Sequence, residues 1–138
     1  MASGVYTAYK KACGIAGVDS TGHSFKTALM NSSHAFNNAH QYWTDTSGNE
    51  ISGTGYSAGG STLSALTWST VDATAVKWDA NDIAWTGAAF TAYHAVVYDD
   101  SHPSKVLVCS FDFGGAQTVS GGGTFTIQWN SSGILKTS

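Results

Sequence analysis

From Thr74 to Ile134 apolar residues return at every second position, and glycine pairs interrupt the run. A period of two puts successive side chains on opposite faces, which suits half-buried β-strands and not helices, whose apolar stripe returns at three and four. The same stretch is rich in tryptophan and tyrosine and poor in side chains suited to chemistry. Such a chain is constrained to sheet, and its surplus is surface.

The strands are expected as short pieces about ten residues apart. Ser24 to Met30 reads as the first. Thr62 to Ser69 and Ala73 to Trp78 flank a turn and predict a hairpin, and Asp79 to Asp82 turns the chain into Ile83 to Trp85. In Phe90 to Tyr98 the residues Phe90, Ala92, His94, Val96 and Tyr98 share one face, and Thr91, Tyr93, Ala95 and Val97 share the other. Both faces are largely apolar, which predicts a central strand. Lys105 to Phe113 and Thr124 to Asn130 follow, separated by a turn at Gly114 to Gly123. In the last strand Phe125, Ile127 and Trp129 oppose Thr124, Thr126 and Gln128, the mark of a sheet with one wet side. The pattern predicts a mainly β chain, a single antiparallel β-sandwich or jelly-roll-like domain over residues 1–138.

Before these strands the signals differ. Residues 1–22 read as an arm or short helix, with Val5, Tyr6, Tyr9 and Ala12 at weak helical spacing. Ser33 to Trp43 would place Phe36, His40 and Trp43 on one side of a short helix. Thr44 to Gly60 is turn chemistry, because glycine takes positive φ cheaply and Asn, Asp and Ser bond to nearby backbone.

At 138 residues one domain and one core are expected. Charged residues make up only 11% of the chain against 42% hydrophobic and 12% aromatic, far below the roughly 25% charge of an ordinary soluble domain. A surface so poor in charge calls for a partner. The net charge of -3 comes from nine carboxylates and six lysines without any arginine, so there is no basic stripe and nucleic acid is not an expected ligand. No apolar run suits a signal peptide or a membrane span, which predicts a protein made and left in the cytoplasm and no membrane partner. Cys13 and Cys109 are read as reduced, Cys109 as a small core residue. Burial of Val, Ile, Leu, Phe and Met supports the core without disulfide or metal, and no cofactor is implied.

The candidate chemistry is sparse. Asp79, Asn81 and Asp82 could offer oxygen ligands to calcium, but the spacing lacks a closing bidentate glutamate and reads as a turn. The five histidines, His23, His34, His40, His94 and His102, lack zinc spacing, and His94 reads as a hydrogen-bonded sheet residue. The glycine runs match neither a phosphate loop nor a dinucleotide fingerprint. Trp78, Trp85 and Trp129 alternate in strands and read as core, leaving Trp43 the best exposed aromatic. Catalysis would need paired carboxylates or a nucleophile beside its base, and no such constellation is visible, so the chain is read as a non-enzyme.

Five segments carry a resemblance: Asn49 to Gly60 (NEISGTGYSAGG), Trp78 to Trp85 (WDANDIAW), Ala95 to Asp100 (AVVYDD), Phe111 to Gly115 (FDFGG) and Thr126 to Leu135 (TIQWNSSGIL). From about Asn49 onward the chain resembles a group of small virion structural proteins of tailed bacteriophages. That resemblance implies a structural component of the head or tail and brings no catalytic residues. Joined to the composition, it points to a capsid decoration or cement protein that binds the major capsid protein shell and self-associates, as a trimer. Val5, Tyr6, Tyr9, Phe36, Tyr42, Trp43 and Tyr56 are its candidate interface residues, since aromatics dominate interface energy. A tail, neck or fibre component is the nearest alternative, and a carbohydrate-binding module acting through Trp43 and Tyr56 is another.

Overall fold

The two-residue alternation is realised in two antiparallel sheets, seen in a computed structural model that describes residues 4–6, 22–70, 76–129 and 134–137. The strands in chain order are β1 (Gly4–Val5), β2 (Phe25–Met30), β3 (Ser61–Thr62), β4 (Thr67–Thr70), β5 (Val76–Asp79), β6 (Ile83–Asp99), β7 (Leu107–Ile127) and β8 (Leu135–Thr137). One sheet runs β1-β7-β6-β2-β3 and the other β4-β5-β8. The strand expected over Ser24 to Met30 is β2, a hairpin forms between β4 and β5 close to the expected one, and Gly4–Val5, expected within an arm or short helix, pairs as β1. The β4–β5 turn, Tyr9, Cys13 and most of residues 1–22 lie outside the described residues.

The main difference is length. Ile83 to Trp85 and Phe90 to Tyr98 are one strand of 17 residues, and Lys105 to Phe113 and Thr124 to Asn130 merge into one of 21. The expected turn at Gly114 to Gly123 is absent because its glycines are absorbed inside the ladder. Gly114, Gly115, Gly121 and Gly122 all take positive φ within β7, a conformation glycine adopts without a Cβ penalty, so the strand bulges and keeps pairing. Thr62 to Ser69 is divided the other way, between β3 in one sheet and β4 in the other.

The register also slips between Ala92 and His94. One extra residue reverses which face every later side chain occupies. Phe90 and Ala92 therefore share the first core with Ala95 and Val97, while Val96 and Tyr98 join a second cluster on the opposite face. The single shared face expected from Phe90 to Tyr98 does not hold. β6 is nonetheless central, with β7 on one side and β2 on the other.

The first core joins the two sheets. Trp78 of β5 is fully buried and packs edge-on against Phe25 of β2 with ring centroids 5.0 Å apart. Ile83, Trp85, Phe90, Val97 and Val108 complete its centre. Cys109 also belongs there, a free buried thiol whose pKa burial pushes well up.

No α-helix occurs among the described residues, so the short helix expected over Ser33 to Trp43 is not formed. Its polar side chains capture the backbone instead: Asn31 Oδ1 accepts from the Ser33 N–H and Asn37 Oδ1 from the Ala39 N–H, both at 2.8 Å. Such local bonds compete with the helical ladder. Only two single 3-10 turns follow, Trp43–Asp45 and Ser47–Asn49.

Candidate functional site

The second cluster is covered by the 31–49 loop, whose Phe36 and Trp43 pack against it. The loop is tied to the β6–β7 connection and β7 by backbone bonds from Trp43 N to Lys105 O (2.8 Å) and Leu107 N to Gln41 O (2.9 Å), and Asn31 N to Asn49 O (2.8 Å) closes its two ends. Asp45 Oδ2 accepts from the Gln41 and Tyr42 N–H groups, which hold its carboxyl below the ordinary range. The loop is a fixed cover over Tyr6, Ala28, Met30, Val96, Tyr98 and Leu107.

Polar groups meet beneath that cover. His34 is 1% exposed, and its Nε2 lies 2.9 Å from Ser110 Oγ on β7. Its ring stands edge-on to His94, centroids 5.1 Å apart, and His94 Nδ1 is 3.8 Å from Asp112 Oδ1. The Tyr6 hydroxyl points toward Ser110 without regular hydrogen-bond geometry, and burial pushes its pKa up to about 12. Burial, reinforced by the neighbouring histidines, lowers the His34 pKa to about 4, and burial lowers that of His94 against the pull of Asp112. At neutral pH this face carries no imidazolium at His34.

A serine bonded to a histidine with a second histidine and an aspartate behind it has the residue types of a nucleophilic site. The geometry gives it another use. Ser110 is 1% exposed and lies under His34, so an incoming carbonyl has no approach to its oxygen. The contact ties loop to sheet through a satisfied buried pair.

That tie makes stability depend on pH. An unfolded histidine takes a proton near pH 6.5, whereas folded His34 resists it until about 4. The unfolded state therefore binds more protons between those values, and stability, complete above pH 6.5, is lost as the pH falls toward 4. The expected loss is on the order of 2 to 3 kcal/mol. Urea unfolding at pH 7 and pH 4.5 should show it, and His34→Gln, which cannot titrate, should make the decline shallower and leave only the share that His94 contributes. An equally steep decline in that variant would remove His34 as the cause.

The face also carries an opening. A cavity of about 430 Å³ is formed by the loop, with buried His34 at its inner end and Phe36, Asn37, Asn38, His40 and Asn49 among its walls. The chain matches no known protein family, curated protein or solved structure.

The residues expected to make an interface are scattered. Tyr6 is fully buried, and Phe36 packs on it at 4.9 Å. Trp43 is half-buried and stacks on Tyr98 with centroids 4.6 Å apart and planes 12° from parallel. Tyr56 is half-buried too. Its hydroxyl donates to Glu50 Oε2 at 2.5 Å and accepts from the Leu29 N–H at 3.0 Å, and burial raises its pKa well above the ordinary value. Val5 contributes the backbone of β1, and Tyr9 lies outside the described residues. Tyr42, at 38%, is the most open of those whose side chains are described. Trp68 on β4 matches it at 39%, and its place opposite Trp78 in a polar-flanked strand had hidden it. Around Asp79 to Asp82, Asp79 Oδ1 accepts from the Ala80 N–H within the turn, and Asp82 Oδ1 accepts from the Trp129 N–H just beyond the end of β7.

Proposed function

We propose that this chain is a non-enzymatic virion structural protein, a capsid decoration or cement protein that binds the major capsid protein shell and self-associates. The observation that carries the reading is the outer part of the β6–β7 ribbon. β2 pairs with β6 only from Asp99 to His94. Beyond that point β6 and β7 run on together to Ile83 and Ile127. Among the described residues the outer edge of β7 beyond Ser110 has no strand beside it.

Exposed strand edges are ordinarily guarded by charge or proline, because an open row of N–H and C=O groups recruits other strands. This edge has no such guard: no charged side chain occurs from Phe113 to Leu135. Half-buried Phe113, Phe125 and Ile127 line a groove of about 370 Å³ beside it, with Gln117, Thr126 and Gln128 supplying neutral hydrogen bonds. A neutral, partly apolar strip suits docking on a lattice, where many modest contacts act together. The two contacting sheets read as the layers of a sandwich, with Ile83, Trp85 and Phe90 packing one face of the ribbon into the core and leaving the outer edge of β7 open. The resemblance to small phage virion proteins points the same way.

The test is the copy number of the chain in purified particles, measured by quantitative mass spectrometry against the major shell protein. A ratio near one or a simple fraction supports a cement protein. A few to some tens of copies would move the protein to the tail, neck or fibres, and absence would sink the virion reading. Thr124→Lys with Thr126→Lys, both on exposed positions of the ribbon, should lower occupancy at least tenfold while leaving the circular dichroism spectrum unchanged. Undiminished occupancy would rule out this strip as the docking surface.

A further inference from the structure

The walls of the 430 Å³ cavity over the second face contain no charged side chain. We propose that this cavity is a binding site for a neutral saccharide unit, a function that goes beyond shell attachment and does not depend on it.

Ser33, Asn37, Asn38, His40, Thr46 and Asn49 are all hydrogen-bonding residues, and none is a carboxylate, lysine or arginine. His40 Nδ1 is buried and has no hydrogen-bond partner. A buried polar atom left without a partner costs on the order of 1 to 3 kcal/mol, so the His40 ring gains by turning this nitrogen into the cavity toward a bound hydroxyl. The Asn37 carboxamide is oriented by the Ala39 N–H on its oxygen, which leaves its NH2 group as a donor. Thr46 is buried and donates its hydroxyl proton to Trp43 O at 3.2 Å, leaving its oxygen as an acceptor. Donors and acceptors are thus set around one space.

Three ligand classes fit this poorly. An anion would give up water and meet no cation on the walls, and a cation would meet no carboxylate. An apolar molecule would strand the amides and the imidazole. A sugar ring answers both needs, since each hydroxyl donates and accepts while the ring carbons present an apolar face. Phe36 supplies the matching surface, held in place against Tyr6. The volume lies within the ordinary range for small-ligand sites, about 300 to 1,000 Å³.

The site differs from the exposed aromatics that a sugar platform would use. Trp43 spends one ring face on Tyr98, and the Tyr56 hydroxyl is committed to Glu50. Recognition is assigned to the loop's amides and to His40.

The experiment is a titration of the full chain, followed by amide NMR shifts, with methyl β-D-glucopyranoside and N-acetylglucosamine as neutral probes. Glucuronate and glucosamine are their charged counterparts. Saturable shifts confined to residues 31–49, with millimolar affinity for at least one neutral probe and at least tenfold weaker binding of the charged pair, are expected. His40→Ala should weaken binding at least tenfold. Ala35 is exposed and borders the cavity, so Ala35→Trp should block the site without disturbing the core and should abolish the shifts. No saturable shift with either neutral probe, equal binding of the charged ones, or binding unaffected by Ala35→Trp would overturn the proposal.

Discussion

Replacing Gly60 with alanine is expected to unfold the protein at room temperature or to cost about 4 kcal/mol or more, placing it in the exceptional tail of single substitutions. A Cβ at this position would stand 2.0 Å from Thr27 O, 2.6 Å from Thr27 C and 2.8 Å from Ala28 Cα. All three are backbone atoms of β2, so no side chain can swing aside. The φ of +88° adds a second penalty, because an L-residue with a Cβ disfavours it. Relief by moving β2 would break its ladder to β6, from Phe25 with Asp99 to Met30 with His94. Relief by moving the 57–63 segment would break the bonds from Leu63 N to Phe25 O and from Tyr98 Oη to Gly59 O. Gly48→Ala is the control, since nothing lies within 4 Å of its Cβ position and its φ is unremarkable for an L-residue; its effect should stay within about 0.5 kcal/mol. Chemical denaturation of both variants makes the comparison, and a Gly60→Ala midpoint close to wild type would show that β2 can yield.

Trp78→Ala should cost about 3 to 5 kcal/mol, the range for emptying a large aromatic from a core. Trp78 is fully buried and reaches from β5 to Phe25 on the larger sheet. Its carbonyl also accepts the Ile134 N–H at 2.7 Å. That backbone bond survives the substitution, so the strand pairing stays while the contact between sheets empties. Against the 5 to 15 kcal/mol of a typical domain this is a large share. The melting temperature should fall on the order of 10 to 20 °C. A fall of only a few degrees would mean that the two sheets are held together elsewhere.

Much of the sheet was legible because its residues obey period two. β2 and the β4–β5 hairpin follow from local alternation, and Trp78 and Trp85 from their places within it. The merging of four expected strands into two was not, since a glycine pair in a hairpin turn and one in a bulge have the same local chemistry. Pairing across the ladder decides between them. The face reversal after Ala92 is equally silent in sequence. In the 31–49 segment aromatic spacing suggested a helix, and asparagine side chains overruled it. The buried site joins His34 to Ser110 from opposite halves of the chain, so no local motif could announce it. One signal was present: Ser110 and Asp112 interrupt an apolar strand at alternate positions, on the face that also carries His94.

The antiparallel ribbon sets an order of events during synthesis. β6 and β7 meet first around the short connection from Asp99 to Leu107, whose loop closes at small entropic cost, and can then zip outward toward Ile83 and Ile127. β2 emerges from the ribosome long before β6 and must wait for it. β1 waits longer still, because its partners Cys109 and Ser110 belong to β7. β1 therefore stays unpaired in the nascent protein until the ribbon has been made.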